Sequence, residues 1–377
     1  MRGGRLVLVG AGHAHLQLVH QAARLRSAGL EVTLIAPRRF QYSGLVSGVL
    51  SGALAADQAE IDVAALAAAF GVRHIPRPVT AIDRTARVLT LAGDATEPFD
   101  LLSLNIGSVA ADPHRLAAQP DVWPVKPLAN LFALRVRIEA EIARDGTSPR
   151  IVVSGGGQSG LEIAASLCGL IERAGVDPDV TVIAPEFGMS LPARARTRLL
   201  TSLRIRGVAL LEDRVIARDP GVCRRADGGD LVCDHLVLAT GLAAPPLIAD
   251  LALPVDGDRR LRLTPTLLSI GDPTILAAGD CAVIEDYPRP AVGVFGVRAA
   301  PVLLDNLTAR GRDQPLRLFQ PQKRWLSIMD LGDGRGLATR GGLWSHGRTA
   351  LWLKRRLDHD FIRRMRAAPD PRQETRS

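Results

Sequence analysis

Two stretches of the chain share one order of apolar and polar positions: a short apolar run, a glycine-rich turn, a helical periodicity and a second apolar run. The first covers residues 5–15 and ends in the apolar run 31–35, and the second covers residues 150–160 and ends in the run 180–183. Buried strands that enter a helix through glycine are typical of βαβ units. The repeat of this unit predicts two Rossmann-like domains.

Other segments complete the predicted α/β fold. Apolar alternation over 79–91, and apolar runs at 100–106, 231–238 and 275–280, predict further strands, and residues 128–144 have a helical pattern. Two proline-rich linkers then suggest that the second domain is inserted into the first. We expect a first domain of residues 1–111 and 255–315, a second of residues 112–254, and a small C-terminal unit of residues 316–377.

The glycine turns have the spacing of a dinucleotide-binding fingerprint. Gly155, Gly157 and Gly160 form a complete copy, whereas the first copy has Gly10 and Gly12 but His15 at the third position. In such a turn the glycines allow a tight bend, a close approach of backbone to pyrophosphate, and packing of helix on strand. The helix N-terminus then attracts the phosphates.

A third feature lies far along the sequence, where the apolar strand near residue 275 runs into Gly279 and Asp280. Glycine permits a close backbone approach, and a carboxylate there can accept a hydrogen bond from a ribityl hydroxyl. Together with both glycine turns, this pair predicts a flavin site.

Composition narrows the class of protein. With 47% hydrophobic and 23% charged residues, the chain reads as a soluble globular protein. It has no run of about 18 uncharged apolar residues, and only Met1–Gly4 precede the first strand, so we expect neither a membrane span nor a signal peptide. Four cysteines are too few for a disulfide scaffold, which favours the cytoplasm. Cys223 and Cys233 flank a turn-like segment and could face each other across a hairpin; two buried thiols is the interpretation we favour over a redox pair.

The net charge of +8 is concentrated in the tail, where residues 310–377 hold 16 Lys and Arg against 7 Asp and Glu. Apolar residues at 350, 353, 357, 361 and 365 recur at three- and four-residue intervals, which predicts a basic amphipathic helix over residues 348–366. Such a helix can dock on the inner face of the cell membrane or pack on the core. The chain lacks an aromatic-basic recognition module, so we expect no nucleic-acid partner.

At this point the sequence resembles the two-dinucleotide-binding flavoproteins, which include type II NADH dehydrogenases, sulfide:quinone oxidoreductases and pyridine nucleotide-disulfide reductases. The resemblance covers residues 1 to about 310. A closer similarity, through the segments at 10–15, 42–45, 101–108, 124–127 and 293–298, is to the oxidoreductase found fused to or paired with selenide, water dikinase. That kinase would then be a separate partner protein.

The resemblance implies that the first domain binds FAD and the second NAD(P)H. The residues that it places at FAD are Gly10, Gly12, Val79, Gly107, Gly279 and Asp280, with Ser43 and Gly44 beside the isoalloxazine and Val294 and Phe295 as backbone donors to the flavin pyrimidine. His13 is unusual in the first glycine turn and is a further candidate for a flavin or phosphate contact. The nucleotide would bind at Gly155, Gly157 and Gly160. Glu162 matches an acidic residue near the nicotinamide, and Arg298 can add positive charge near the flavin, so both are candidate catalytic residues.

At some positions the sequence departs from the family pattern, and these departures limit what can be predicted about the bound nucleotide. Relatives end the second strand of each unit with Asp or Glu, whereas this chain has Ala36 and Ala184. Glu186 can substitute at the nucleotide ribose, or Arg194 and Arg196 can accept a 2′-phosphate, so NADH and NADPH stay open. No cysteine precedes Cys168, which argues against a disulfide reductase, and no cluster has the spacing of a metal site.

Three functions remain. The chain can be an FAD-dependent NAD(P)H dehydrogenase that reduces a non-thiol acceptor, with quinone the preferred one. It can also be a flavoprotein reductase that acts with a soluble partner in selenium or sulfur metabolism. The third is a flavin-binding regulatory module with a vestigial nucleotide site.

Overall fold

The computed structural model describes residues 4–366. Its largest sheet has eight strands, and five consecutive strands pair in parallel in the order Asp272–Ala277, Leu101–Leu104, Gly4–Val9, Leu30–Ile35 and Arg73–Ile75. These strands are nearly continuous apolar runs because helices and loops cover both faces of the sheet. Since the sheet combines strands from before and after the second domain, that domain is inserted into the first.

The rest of the first domain surrounds this sheet. The eight-stranded sheet is completed by Leu261–Leu263, Leu268–Ser269 and Ala282–Ile284. Val79–Asp83, Val88–Leu91 and Thr96–Pro98 form an antiparallel sheet, and Arg39–Gln41 pairs with Glu60–Asp62. The helices are His13–His20, Ala22–Ser27, Val46–Leu50, Val63–Ala69 and Gly293–Arg312, with short 3₁₀ turns at Ser43–Leu45 and Ala56–Ala59. A third 3₁₀ turn, Leu116–Ala118, lies in the second domain.

The second domain has a five-stranded parallel sheet in the order Val122–Pro124, His235–Leu238, Arg150–Ser154, Asp179–Ile183 and Ala209–Leu211. A small antiparallel sheet contains Val215–Asp219, Val222–Arg225 and Asp230–Val232. The helices are Ala129–Asp145, Gln158–Arg173, Ala193–Ile205 and Pro246–Ala249.

The two linkers between the domains run side by side, because Val109–Ala110 pairs antiparallel with Leu242–Ala243. The predicted α/β fold with an inserted second Rossmann-like domain is confirmed. The domain boundaries at 111/112 and 254/255 stay a prediction. The strand expected over 231–238 is in fact two strands, because the chain turns at Cys233 and Asp234 to bond with Gly221 and Arg150.

The C-terminal unit consists of the strands Ser327–Asp330, Gly336–Arg340 and Leu343–Gly347 and the helix Arg348–Arg366. Its buried side chains join the cores of both domains: Met329, Leu331 and Leu337 pack into the second, and Phe361, Ile362 and Met365 into the first. The unit therefore closes over the junction between the two domains.

The predicted apolar stripe of the C-terminal helix is wrong in part. Ala350, Phe361 and Met365 are buried against the protein, but Leu357 is 47% exposed. Leu351 and Asp358 take buried positions instead. The stripe therefore packs mainly on the core, and Phe361 and Met365 are unavailable to a membrane. Within residues 4–366, no helix is long and apolar enough to cross a bilayer.

Candidate functional site

The first glycine turn lies at the carboxyl end of strand Gly4–Val9 and leads into helix His13–His20. Gly10 has a φ of +88°, and a Cβ there would lie 2.5 Å from the carbonyl oxygen of Asn105. A Cβ at Gly12 would collide with the Asn105 side chain. The N–H groups of Ala14 and His15 in the first turn of this helix donate to Asn105, which leaves the N–H of His13 for an anion. The turn therefore suits a pyrophosphate.

Asn105 connects three parts of this site. Its side-chain oxygen accepts hydrogen bonds from the backbone N–H groups of Ala14 and His15, at 3.0 and 3.2 Å. Its amide nitrogen donates to the carbonyl of Ala278 at 2.5 Å, immediately before Gly279. Asn105 was not among the site residues predicted from the sequence, although a polar residue at the end of the apolar strand Leu101–Leu104 was a usable signal.

His15 is fully buried beneath the turn. Its Nδ1 donates to the carbonyl of Gly10 at 2.7 Å, because a carbonyl can only accept, and its Nε2 then accepts from the Ser103 hydroxyl at 2.8 Å. Burial lowers the pKa of His15 to about 4, so the ring is neutral at physiological pH. His15 is therefore a buried packing residue beneath the turn.

His13 lies at the start of the same helix, on the side that faces the C-terminal unit. Its ring is 5.5 Å, centroid to centroid, from each of Phe40, Tyr42 and Phe361. A Cβ on Gly293 would lie 3.3 Å from the His13 ring. Burial lowers the pKa of His13 to about 4, although the charge of Asp280 opposes the shift. His13 is therefore a neutral aromatic ring at this site.

Gly279 and Asp280 follow strand Asp272–Ala277, whose end lies beside the end of strand Leu101–Leu104. Gly279 has a φ of +81°, and a Cβ there would lie 2.6 Å from the Asn105 amide nitrogen. The Asp280 carboxylate accepts a hydrogen bond from Ser108 at 3.1 Å. Gly107, with a φ of +72°, has open space where a side chain would stand. The turn, the carboxylate and this space together can hold a dinucleotide.

The helix Gly293–Arg312 begins next to this pair, since Gly296 packs on Gly279. The first-turn N–H of Val294 has no intrahelical acceptor. The N–H of Phe295 donates to Val292 at 3.0 Å, so Val294 is the better candidate donor to a flavin. The Arg298 side chain is exposed to solvent, which does not support the predicted role near the reacting atoms.

The other predicted flavin contacts lie in two segments, the turn Ser43–Leu45 and the start of strand Val79–Asp83. Ser43 is exposed, whereas Gly44 packs so closely on Tyr42 and Asp358 that a Cβ there would collide with both. Val79 is partly buried at the start of its strand, where pairing with the neighbouring strand is irregular.

A cluster of buried polar groups lies where both domains meet the C-terminal unit. We call Tyr42, Glu162, Asp330, Lys354 and Asp358 the Lys354 cluster. Lys354 donates to the carbonyl of Gly44 and, at 2.9 Å, to Asp358. Tyr42 donates to the other oxygen of Asp358 at 2.9 Å, and Glu162 accepts from the N–H of Asp330 at 2.8 Å. The cluster therefore ties the turn at Gly44 to the C-terminal helix.

Burial and neighbouring charges shift the pKa values of three side chains in this cluster. Burial raises the pKa of Glu162, and the charge of Lys354 only partly offsets that shift. Burial lowers the pKa of Lys354, but the charges of Asp358 and Glu162 raise it by more, so Lys354 keeps its proton. Burial and Asp358 raise the pKa of Tyr42, which stays a neutral donor. Glu162 is thus a carboxyl group whose pKa lies above its ordinary value.

The second glycine turn connects strand Arg150–Ser154 to helix Gln158–Arg173. A Cβ at Gly155 or at Gly160 would collide with backbone, whereas Gly157 faces open space. Gly156 accepts a hydrogen bond from the N–H of Gly188 at 2.7 Å. Loop 184–190 therefore folds over the turn and leaves one open side, as a nucleotide site requires.

The positions that hold ribose in relatives carry no carboxylate, since Ala36 and Ala184 are buried alanines. Glu186 is exposed near the second turn, and its carbonyl limits the space beside Gly156. Arg194 is also exposed, and Arg196 donates to the sulfur of Met189 at 2.8 Å. These groups do not discriminate between NADH and NADPH.

All four cysteines are buried free thiols. Cys281 follows Asp280, and burial raises its pKa to about 12, so it is not a ready nucleophile. Among residues 4–366, no group of three or more His, Cys, Asp or Glu side chains could hold a metal ion.

The family model for pyridine nucleotide-disulphide oxidoreductases matches residues 4–300. The chain belongs to this family. An NADH dehydrogenase-like protein of Mycobacterium tuberculosis is 27% identical over 292 residues, which are 72% of this chain and 71% of that protein. The demethylphylloquinone reductase NdbB of Synechocystis is 24% identical over 77% of this chain and 76% of its own length. The crystal structure of the sulfide:quinone oxidoreductase of Aquifex aeolicus matches with a TM-score of 0.80 at 15% identity, over 99% of this chain and 94% of that one.

The protein is accordingly an FAD-dependent NAD(P)H dehydrogenase with two nucleotide-binding domains. The assignment of individual residues to each cofactor stays a prediction. The closer similarity to the oxidoreductase paired with selenide, water dikinase also stays a prediction.

Proposed function

We propose that this dehydrogenase passes its electrons to a quinone. The supporting observation is the Lys354 cluster, which lies beside Gly44, a residue that we expect next to the isoalloxazine. Reduction of a quinone consumes two protons as well as two electrons, so its site needs protonated side chains shielded from bulk water. The Synechocystis relative is itself a demethylphylloquinone reductase.

In this proposal the first domain holds FAD through four features. The turn at Gly10 and Gly12 and the start of its helix bind the pyrophosphate, and Asp280, positioned by Ser108, accepts from a ribityl hydroxyl. The N–H of Val294 faces the flavin pyrimidine. When bound, FAD supplies the two-electron chemistry, because it takes hydride from the nicotinamide and releases electrons to the acceptor.

The second domain would bind the pyrophosphate of NAD(P)H at Gly155 and Gly157, with Glu186 the candidate for the ribose. Gln158 donates to Ser190 at 3.1 Å and accepts from Ser327 at 3.1 Å, so it positions the nucleotide loop against the C-terminal unit. Glu162 lies one helical turn further along. The helix thereby runs from the nucleotide turn to the Lys354 cluster.

Two side chains would supply protons to the acceptor. Lys354 carries a proton at Nζ and is only 11% exposed, and burial raises the pKa of the Glu162 carboxyl group, which favours its protonated form. Proton donation by a positioned side chain typically contributes a factor of about 10² to 10⁴ in rate. Loss of Lys354 should therefore slow quinone reduction more than it slows flavin reduction.

The test separates the two half-reactions. Anaerobic NADH or NADPH should bleach the flavin absorbance of the wild-type protein, and a short-chain ubiquinone should restore it. Lys354→Met should reduce FAD at a near-normal rate, yet lower quinone turnover by about 100-fold. Ferricyanide, which takes electrons without protons, should still reoxidise this variant.

Lys323→Met is the matched control, since Lys323 is an exposed lysine of the same unit. It should behave as wild type in both half-reactions. If the flavin bleaches but no quinone reoxidises it, the soluble-partner function replaces ours, and selenide, water dikinase becomes a partner to test. If neither nicotinamide cofactor bleaches the flavin, our proposal fails, and a flavin-binding regulatory module becomes the favoured function.

We also propose that the protein works at the cytoplasmic membrane surface, where a quinone is available. Trp352 and Leu357 on the C-terminal helix, and Leu343 and Trp344 on the adjoining strand, are exposed by 38 to 77%. The Arg356 guanidinium lies 5.5 Å from the centre of the Trp352 ring. Exposed tryptophans among arginines favour an anionic lipid interface.

A further inference from the structure

Residues 43–54 of the first domain, which we call the 43–54 segment, also pack into the second domain. The segment consists of the 3₁₀ turn Ser43–Leu45, the helix Val46–Leu50 and the turn that follows this helix. Val46 and Leu50 are buried, and their side chains join the hydrophobic core of the second domain. The segment therefore connects the two domains through its apolar side chains.

Arg135, on the second-domain helix Ala129–Asp145, holds the turn at the end of this segment. One of its terminal nitrogens donates to the carbonyls of Val49, at 2.7 Å, and Leu54, at 2.8 Å. Its Nε donates to Glu139, one helical turn further along, at 2.8 Å. Only 21% of the Arg135 side chain is exposed. Because the donors of a guanidinium lie in one rigid plane, these bonds hold the two carbonyls in fixed positions.

Arg173, the last residue of helix Gln158–Arg173, makes a second contact with the same turn. Its Nε donates to the carbonyl of Ser51 at 3.0 Å. The last carbonyls of a helix lack donors within that helix, so basic side chains are favourable beside them. Two arginines of the second domain thus hold the end of the 43–54 segment.

The segment and the helix Gln158–Arg173 together connect the expected sites of the two cofactors. At its first end the segment has Gly44, which we expect beside the isoalloxazine. The helix begins at the second glycine turn, where we expect the nucleotide, and its 16 residues span about 24 Å. Because the helix ends on the carbonyl of Ser51, the contact fixes the flavin-facing segment relative to the nucleotide turn.

We propose that Arg135 and Arg173 are positioning residues for hydride transfer from the nicotinamide to the flavin. The proposal rests on the dehydrogenase activity and on the expected place of Gly44, but it does not depend on the electron acceptor. Hydride transfer needs reacting atoms about 3–3.5 Å apart, and a displacement of about 1 Å can cost about 100-fold in rate. Arg173 lies at the opposite end of its helix from the second glycine turn, and Arg135 lies on another helix, so nucleotide affinity should not depend on either side chain.

Anaerobic stopped-flow absorbance of the FAD-loaded full chain separates nucleotide affinity from positioning. Increasing concentrations of NADH, or of NADPH if it reduces the wild type faster, yield a limiting rate of flavin reduction and a Kd. Arg135→Met should lower the limiting rate about tenfold and Arg173→Met about threefold, with the Kd unchanged within a factor of about two. The double variant should lose more than either single variant. A cofactor deuterated at the nicotinamide C4 should slow the reduction in each of them, which shows that hydride transfer is the measured step.

Hydrogen exchange followed by mass spectrometry reports on the segment without turnover. Peptides that cover residues 43–54 should exchange faster in Arg135→Met than in the wild type, whereas peptides that cover the second glycine turn should exchange at the wild-type rate. Arg144→Met is the matched control, because Arg144 lies on the same helix, is 68% exposed and pairs with its neighbour Asp145. It should match the wild type in limiting rate, Kd and exchange. Arg135→Lys, which can still donate to one carbonyl, should recover part of the limiting rate.

Circular dichroism and the ratio of flavin to protein absorbance establish that each variant is folded and loaded. Arg173→Met removes one hydrogen bond of an exposed side chain, so it tests the proposal even if Arg135→Met does not fold. The proposal is wrong if the folded, flavin-loaded variants keep the wild-type limiting rate, or if their only change is a weaker Kd for the nucleotide. Failure of the quinone proposal would leave both readouts unchanged, since neither involves an electron acceptor.

Discussion

His15 replaces the third glycine of the first fingerprint by a different physical means. In the second copy, Gly160 lets the helix approach so closely that any Cβ would collide with the carbonyl of Gly155. In the first copy, the His15 ring fills the corresponding space and donates to the carbonyl of Gly10. A buried hydrogen bond thus joins the helix to the turn in the first domain, where close packing does so in the second.

At the same scale, Asp280 should control flavin retention. Asp280→Ala removes a charge-assisted hydrogen bond worth about 1.5–3 kcal/mol, so much of the FAD should be lost during purification. The ratio of flavin to protein absorbance measures the loss. Asp286→Ala, an exposed aspartate six positions later, should keep full occupancy. Full occupancy in Asp280→Ala would show that this carboxylate does not contact the cofactor.

His13 and His15, at the first glycine turn, predict a loss of stability in mild acid. In the folded state their pKa is about 4, below the ordinary 6.5, so the unfolded chain binds more protons between these values. Stability is then complete above about pH 6.5, and it falls as the pH drops toward 4, by up to about 1.4 kcal/mol per pH unit for each histidine.

Thermal unfolding followed by circular dichroism from pH 8 to pH 5 tests this expectation. The unfolding temperature of the wild type should fall below pH 6.5, and His15→Gln should start lower but fall less steeply. His114→Gln, at an exposed loop position, should reproduce the wild-type slope. Equal slopes in wild type and His15→Gln would contradict the neutral state of the buried ring.

At the scale of elements, the C-terminal helix has an inner and an outer face with separate roles. The inner face packs on both domains and supplies Lys354 and Asp358, so truncation after Gly347 should destabilise the protein and release FAD. The outer face carries Trp352, Leu357 and several arginines. Only the outer face is available for contact with lipid.

Sedimentation with anionic phospholipid vesicles tests the outer face. Wild-type protein should sediment at low salt and stay in solution at high salt, because basic side chains near such a surface each contribute about 1 kcal/mol. A Trp352→Ser, Leu357→Ser double variant should sediment much less. Its control is Val136→Ser, Ile205→Ser, which removes apolar side chains that are 64% and 80% exposed elsewhere. Equal sedimentation of the two variants would contradict the proposed surface.

For the whole molecule, the thiols should be dispensable for flavin reduction. Cys168 and the Cys223–Cys233 pair belong to the second domain, and Cys281 is fully buried with its sulfur against the carbonyls of Leu104 and Ala278. A variant with all four cysteines replaced by Ala or Ser should therefore keep FAD and be reduced by NAD(P)H at a near-normal rate. Stopped-flow absorbance measures this rate. A folded, flavin-loaded variant that is not reduced would revive the disulfide-reductase alternative.

By itself the sequence determined the two βαβ units, the inserted order of the domains and the glycine turns. These features rest on residues close together in the chain: an apolar run creates a buried strand, and glycine creates a turn that other residues cannot adopt. The Gly279–Asp280 pair was readable for the same reason, because a strand ends there and a carboxylate follows.

Only the tertiary structure decided which residues that are distant in the sequence come into contact. Asn105 meets Ala14 and Ala278, and Lys354 meets Gly44, because parallel strands end at one edge of a sheet and the C-terminal unit covers both domains. The buried face of the C-terminal helix was misjudged because helical periodicity identifies an apolar stripe but not the surface on which it packs. The exposure of Arg298 likewise depends on packing between segments that no local pattern relates.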